Sequence, residues 1–114
     1  MDINKKLQTA ITAVMDDYIE AHIHSKSLAG LKYEKVIDNQ NLHFQLILLG
    51  FNERQRIFNL IFHMDIIDDK IWIQDDNLEY SVAERLTEKG ISKKEIVLGY
   101  FTASHRQFTE YAVS

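Results

Sequence analysis

Residues 42–74 decide the fold and read LHFQLILLGFNERQRIFNLIFHMDIIDDKIWIQ. Apolar side chains alternate with other side chains along this stretch, which is the period-two pattern of strands with one buried face. Turn-forming residues (Gly50 and Asn52, then Asp68 and Asp69) interrupt the pattern within 50–53 and 66–69, where tight turns are expected. The stretch therefore predicts three consecutive antiparallel strands, at residues 42–48, 54–65 and 70–74.

The longest predicted strand, residues 54–65, has two distinct faces. Alternation predicts that one face enters the core, and this face carries Phe58, Leu60, Phe62 and Met64. The other face carries His63 and Asp65, with Asn59 and Ile61 upstream of them, because side chains two residues apart share a face. The sequence thus predicts a polar pair beside an apolar core.

The flanking segments complete an α+β fold. Residues 2–24 have the three- and four-residue spacing of an amphipathic helix, and Asp2 is its expected N-cap. Residues 31–37 predict another strand, and 81–89 predict a second helix that ends before Gly90. Residues 92–95 have capping-box spacing, which predicts a helical turn. Residues 96–101 are apolar enough for a buried strand. Residues 108–113 are expected to form a strand or a helical turn. We therefore predict an N-terminal helix, an antiparallel meander of about four strands, a second helix and a C-terminal strand-like segment.

Composition restricts the function. The chain has 114 residues, enough for one domain, and 46% of them are hydrophobic. It has no cysteine, which excludes disulfide scaffolds, thiolate zinc sites and cysteine nucleophiles. No apolar run is long enough to span a membrane and no signal sequence is evident, so a cytoplasmic location is expected. A net charge of −4 argues against direct DNA binding.

The second half of the chain resembles a known family. The resemblance rests on Arg56 through Asp65-Ile66, Lys70-Ile71-Trp72-Ile73-Gln74, Gly90-Ile91, Ile96-Val97-Leu98-Gly99, Arg106, Thr109-Glu110 and Ala112-Val113. With these residues at this spacing, the sequence resembles the XisI family, the fdxN-element excision controlling factors of cyanobacteria. The family commonly has prolines in the loop 101–107, whereas this chain has no proline, so that loop is expected to differ.

The resemblance implies a non-enzymatic accessory protein that controls a DNA rearrangement. It implies a nuclease-like partner, XisH, and a separate site-specific recombinase that carries the chemistry, so that DNA is engaged only indirectly. No cofactor is implied. An inhibitor of a partner nuclease, similar to an antitoxin, follows the same logic.

The acidic residues support two hypotheses. As a surface for a basic partner, the candidates are Asp65, Asp68, Asp69, Asp75 and Asp76. The alternative is a metal-dependent nuclease that uses Asp65, Asp68 and Lys70. His63 and Asp65 alone are too few ligands for a metal site, and a hydrogen-bonded polar strand face is the expected role.

Three further residues are candidates for a partner surface. Trp72 and Gln74 lie opposite Ile71 and Ile73, so Trp72 is expected either to anchor an interface or to be covered by one of the two helices. Arg106 is expected to neutralise the acidic residues, or to bind a partner or a phosphate. Open sheet edges also predict a homo-oligomer, a dimer or larger.

Overall fold

The computed structural model describes residues 3–114, which form one sheet and the helices packed on it. The helices are α1 (Ile3–His22), α2 (Val82–Glu88) and α3 (Ala103–Arg106), with single 3₁₀ turns at Lys26–Leu28 and Lys93–Glu95. The strands are β1 (Leu31–Asp38), β2 (His43–Asn52), β3 (Gln55–Ile67), β4 (Lys70–Asp76) and β5 (Ile96–Leu98). Asp2, the expected N-cap, lies outside the described residues.

The sheet has the strand order β1-β2-β3-β4-β5. The first four strands are antiparallel neighbours joined by short turns, and β5 returns through α2 to pair in parallel with β4. The predicted α+β class and the meander are therefore confirmed. The parallel fifth strand makes the sheet mixed.

The first helix covers one face of the sheet. Its buried residues recur at three- and four-residue steps, as the sequence predicted, and they are Leu7, Ala10, Ile11, Val14 and Met15. They join a core that includes Phe44, Phe62 and Ile73 from the sheet and Leu86 from α2. Burying a large apolar side chain contributes roughly 1.5–3 kcal/mol, so this layer supplies much of the driving force for folding.

Both long hairpins turn more tightly than the sequence predicted. β2 continues to Asn52 and β3 begins at Gln55, so the predicted turn at 50–53 is wrong and only two residues connect the strands. Glu53 takes a φ of 57°, and in the next hairpin Asp68 and Asp69 take 50° and 62°. Two-residue hairpins require this left-handed backbone, which Asp tolerates better than most residues.

A β-bulge overturns the predicted faces of β3. Leu46 pairs with Phe62, but Ile47 pairs with Leu60, so Ile61 is the extra residue. A bulge exchanges the two faces of a strand beyond it. Phe62 and Met64 are fully buried whereas Phe58 is 63% exposed, and Ile61 lies in the core rather than beside His63.

In the C-terminal third of the chain, side-chain caps mark where helical segments begin. Ser81 caps α2 by accepting a hydrogen bond from the amide of Glu84, and Ser92 and Glu95 form the predicted capping box. The predicted strand 96–101 is shorter than expected, since β5 ends at Leu98. The tail contributes a single parallel bridge, between Ala112 and Val97. Among residues 3–114, no helix combines the length and the apolar character needed to cross a membrane.

Candidate functional site

One buried carboxylate joins two imidazoles on the sheet face opposite α1. Asp65 is 9% exposed, and its Oδ1 accepts hydrogen bonds from His43 Nδ1 at 2.6 Å and His63 Nε2 at 2.7 Å. Its Oδ2 accepts a third bond, from Gln74 Nε2 at 3.2 Å. A buried carboxylate is costly unless it is paired and hydrogen-bonded, and these three donors meet that requirement.

Strand pairing positions this group, which we call the His–Asp–His cluster (His43, His63 and Asp65). His43 begins β2 and is directly opposite Asp65 of β3, while His63 lies two residues before Asp65 on the same face. Gln74 reaches Asp65 because it is the extra residue in a second bulge, between the pairs His63–Asp75 and Met64–Ile73. The cluster is thus fixed on paired strands rather than on loops, which restricts its geometry.

The cluster shifts the ionisation of its members. Burial of Asp65 opposes its ionisation, but the hydrogen bonds from His43 and His63 outweigh burial and hold the pKa of this carboxyl below its usual value. The hydrogen bond to Asp65 raises the pKa of His43 above that of a free imidazole, and the nearby charge of Asp38 adds to this effect. The cluster therefore stabilises a carboxylate and favours a cation beside it.

The cluster borders an open depression in the protein surface. The depression has a volume of about 340 Å³ and is lined by Val36, Asp38, His43, Gln45 and His63. The side chain of His43 is 52% exposed, whereas those of His63 and Asp65 are 20% and 12% exposed. A small solute can therefore reach the imidazoles, while the carboxylate remains sheltered.

Trp72 and Arg106 contact each other, and within residues 3–114 Arg106 forms no ion pair with the acidic residues that it was predicted to neutralise. The guanidinium of Arg106 lies 5.1 Å from the centre of the Trp72 ring, a cation–π distance. Arg106 also donates from Nε to the carbonyl of Phe101 and from a terminal nitrogen to that of Val113. Arg106, in the C-terminal segment, thus packs on the half-buried Trp72.

The two acidic pairs that lie near each other in sequence, Asp68–Asp69 and Asp75–Asp76, are far apart in space. Asp68 and Asp69 form the exposed β3–β4 turn, whereas Asp75 and Asp76 lie at the far end of β4. A seven-residue strand places these pairs about 20 Å apart, at roughly 3.3 Å per residue. Asp76 has a structural role, because its carboxylate accepts hydrogen bonds from the backbone amides of Leu78 and Val82.

The structure does not bring together Asp65, Asp68 and Lys70 as the nuclease hypothesis requires. Across residues 3–114, the one group of three His, Asp or Glu side chains close enough to hold a metal ion is the His–Asp–His cluster. Asp68 and Lys70 do not belong to it.

Sequence reasoning missed His43. The signal was present, because the turn at 53–54 sets the β2–β3 pairing that brings residue 43 opposite residue 65. To predict that His43 lies opposite Asp65, one must know the exact turn and the position of the Ile61 bulge. A one-residue error in register moves a side chain to the other face.

Comparisons with known proteins agree on the fold. The family model described as XisI protein matches residues 1–113. A XisI-like protein from Anabaena variabilis has 27% sequence identity and a TM-score of 0.85, with 97% of this chain and 99% of that chain covered. The structure of the fdxN element excision controlling factor XisI from Anabaena variabilis has 22% identity and a TM-score of 0.80, with 99% and 100% covered. No curated protein matches significantly. Because the family model spans nearly the whole sequence, the chain belongs to the XisI family.

Proposed function

We propose that the protein is a non-enzymatic controlling factor for the excision of a DNA element, and that it acts by binding a nuclease-like partner of the XisH type. The observation that carries this proposal is the structural match to an fdxN element excision controlling factor, which covers 99% of this chain and 100% of that one. The shared unit is thus the whole of that solved protein, and membership of the XisI family supports the same role.

The roles of the acidic side chains support a binding function over catalysis. Both carboxylate oxygens of Asp65 accept hydrogen bonds from side chains, and both of Asp76 accept backbone amides. Neither carboxylate belongs to a group with Asp68 that could hold the metal ion required by the nuclease alternative, within residues 3–114. Asp68 and Asp69, in contrast, are exposed at a hairpin turn and can contact another protein.

The β3–β4 turn is the partner surface that we propose. Its two carboxylates project from left-handed residues at the tip of a long hairpin. A nuclease-like partner carries a basic surface for DNA, and acidic groups opposite such a surface accelerate association. Binding there places the carboxylates where the partner's DNA phosphates would otherwise lie.

The proposal is tested by co-purification with an XisH-type protein encoded in the same genome, followed by binding kinetics. The informative variant is Asp68→Asn with Asp69→Asn, because Asn removes the charge and retains the left-handed turn. We expect slower association and a smaller dependence on salt. The matched control, Glu20→Gln with Glu53→Asn, also removes two charges and should bind like the wild type. Absence of a complex between the wild-type proteins would refute the proposal.

A cleavage assay then determines the direction of control. The partner is incubated with DNA and Mg²⁺ or Mn²⁺, with and without this protein, and this protein is also assayed alone. A change in the partner's cleavage distinguishes an inhibitor from an activator. Cleavage by this protein alone that is lost in Asp68→Asn would instead support the nuclease alternative.

Self-association is the second part of the proposal. β1 lies at one edge of the sheet, and Phe51 and Phe58 expose 53% and 63% of their surface on adjacent strands. Open edges and exposed aromatic rings favour contacts between copies. Light scattering coupled to size exclusion should give the mass of a dimer or larger oligomer. A mass of 13.4 kDa at micromolar concentration would contradict this part.

A further inference from the structure

We propose that His43, His63 and Asp65 bind one divalent transition-metal ion, with Zn²⁺ as the reference ion. One ligand atom from each of these residues lies within 4.8 Å of the other two. This inference is independent of excision control, since it rests on the geometry of the His–Asp–His cluster alone.

The three candidate ligand atoms lie close together. His43 Nδ1 and His63 Nε2 both point at Asp65 Oδ1, at 2.6 and 2.7 Å. An ion about 2.0–2.1 Å from each donor needs the donors about 3.3 Å apart in a tetrahedral site. The two nitrogen–oxygen distances must therefore lengthen by roughly 0.6 Å as the ion takes the place of the hydrogen-bonding protons. His43 can make this movement because its side chain is half exposed.

The types of donor select the class of ion. Two imidazole nitrogens and one carboxylate oxygen suit Zn²⁺, Co²⁺ or Ni²⁺, whereas Mg²⁺ and Ca²⁺ prefer oxygen donors alone. Three protein ligands also leave a coordination position for water. The depression that His43 and His63 line would give water access to that position.

Gln74 orients the carboxylate. Its Nε2 donates to Asp65 Oδ2 at 3.2 Å, which leaves Oδ1 for the ion. Outer hydrogen bonds of this kind fix metal-binding carboxylates, and their loss typically weakens metal binding about 10- to 100-fold. The bulge that brings Gln74 to Asp65 thus has a role in this site.

The test uses protein from which any histidine tag has been removed, titrated calorimetrically with Zn²⁺ and followed spectroscopically with Co²⁺. We expect one ion per chain and a Co²⁺ spectrum typical of low coordination number. His43→Gln and His63→Gln should each weaken binding at least about tenfold, and so should Gln74→Ala. The control His24→Gln changes an exposed histidine outside the cluster and should bind like the wild type.

His43→Gln is the decisive variant, because residue 43 is exposed and its replacement should leave the fold intact. Zn²⁺ should raise the melting temperature of the wild type and not that of His43→Gln. The proposal is overturned if the wild type binds no ion at equimolar concentration, or if His43→Gln binds as tightly as the wild type. Equally tight binding of Mg²⁺ would overturn the assignment to a transition metal.

Discussion

The Nδ1 atom of His43 lies 2.6 Å from the carboxylate of Asp65, its direct partner on the neighbouring strand. These residues are 22 positions apart in sequence, so only the pairing of β2 with β3 brings them together. The contact connects the fold to the candidate site, because any slip in register would separate them.

The first prediction concerns pH. In metal-free protein, the His43–Asp65 contact should stabilise the fold most between about pH 4 and pH 6.5, above the unfolded pKa of Asp and below that of His. The pKa of Asp65 is lowered by folding, so its contribution is lost as pH falls through the folded pKa. The pKa of His43 is raised, so its contribution is lost as pH rises through the folded pKa.

The measurement is urea denaturation of the wild type and His43→Gln across this range, with a chelator present. The difference in unfolding free energy should be largest inside the window and smaller on both sides. A nuclear magnetic resonance titration should also show that Asp65→Asn lowers the pKa of His43. A difference that is constant with pH would show that the contact is not an ion pair.

The second prediction compares two phenylalanines that the sequence pattern treats as equivalent. Phe62→Ala should lower the free energy of unfolding by about 3–5 kcal/mol, because the side chain is fully buried. Phe58→Ala should cost less than about 1 kcal/mol, because Phe58 is 63% exposed beyond the bulge. Denaturant titration of both variants measures this. Equal losses would mean that the bulge at Ile61 is absent.

The third prediction separates Asp75 from Asp76. Asp76→Ala should cost about 1–3 kcal/mol, because it leaves the amides of Leu78 and Val82 without their acceptor. Asp75→Ala should stay within about 0.5 kcal/mol of the wild type, as expected for a residue without such a role. Thermal and urea unfolding of the two variants provide the measurement, and a larger loss for Asp75→Ala would contradict this role of Asp76.

How far the sequence could predict this structure depends on the range of each interaction. The buried face of α1 and the capping box of Ser92 and Glu95 follow from residues within one or two turns of each other, and both were predicted. The bulge at Ile61 has no signature in composition, so the side of Phe58 was predicted wrongly. The exposed turn at Asp68 and Asp69 was predicted as acidic, but its distance from Asp75 depends on how far β4 extends.

The candidate site was predictable in part for the same reason. His63 and Asp65 are local neighbours on a strand, and their shared face was predicted and is confirmed by their hydrogen bond. His43 and Gln74 reach them only through strand register and a second bulge. The contact of Arg106 with Trp72 depends on how the C-terminal segment folds back.

The last prediction uses the only tryptophan of the chain as a probe. Arg106→Ala should shift the fluorescence of Trp72 to longer wavelength and lower the unfolding free energy by about 1–3 kcal/mol. The reason is that it removes the guanidinium over the ring and two hydrogen bonds to backbone carbonyls. Arg106→Lys should rescue only part of this loss, because an ammonium group cannot both stack on the ring and bridge the carbonyls of Phe101 and Val113. Full rescue by lysine would show that charge alone matters at this position, and an unchanged emission spectrum in Arg106→Ala would show that the C-terminal segment shields Trp72 without Arg106.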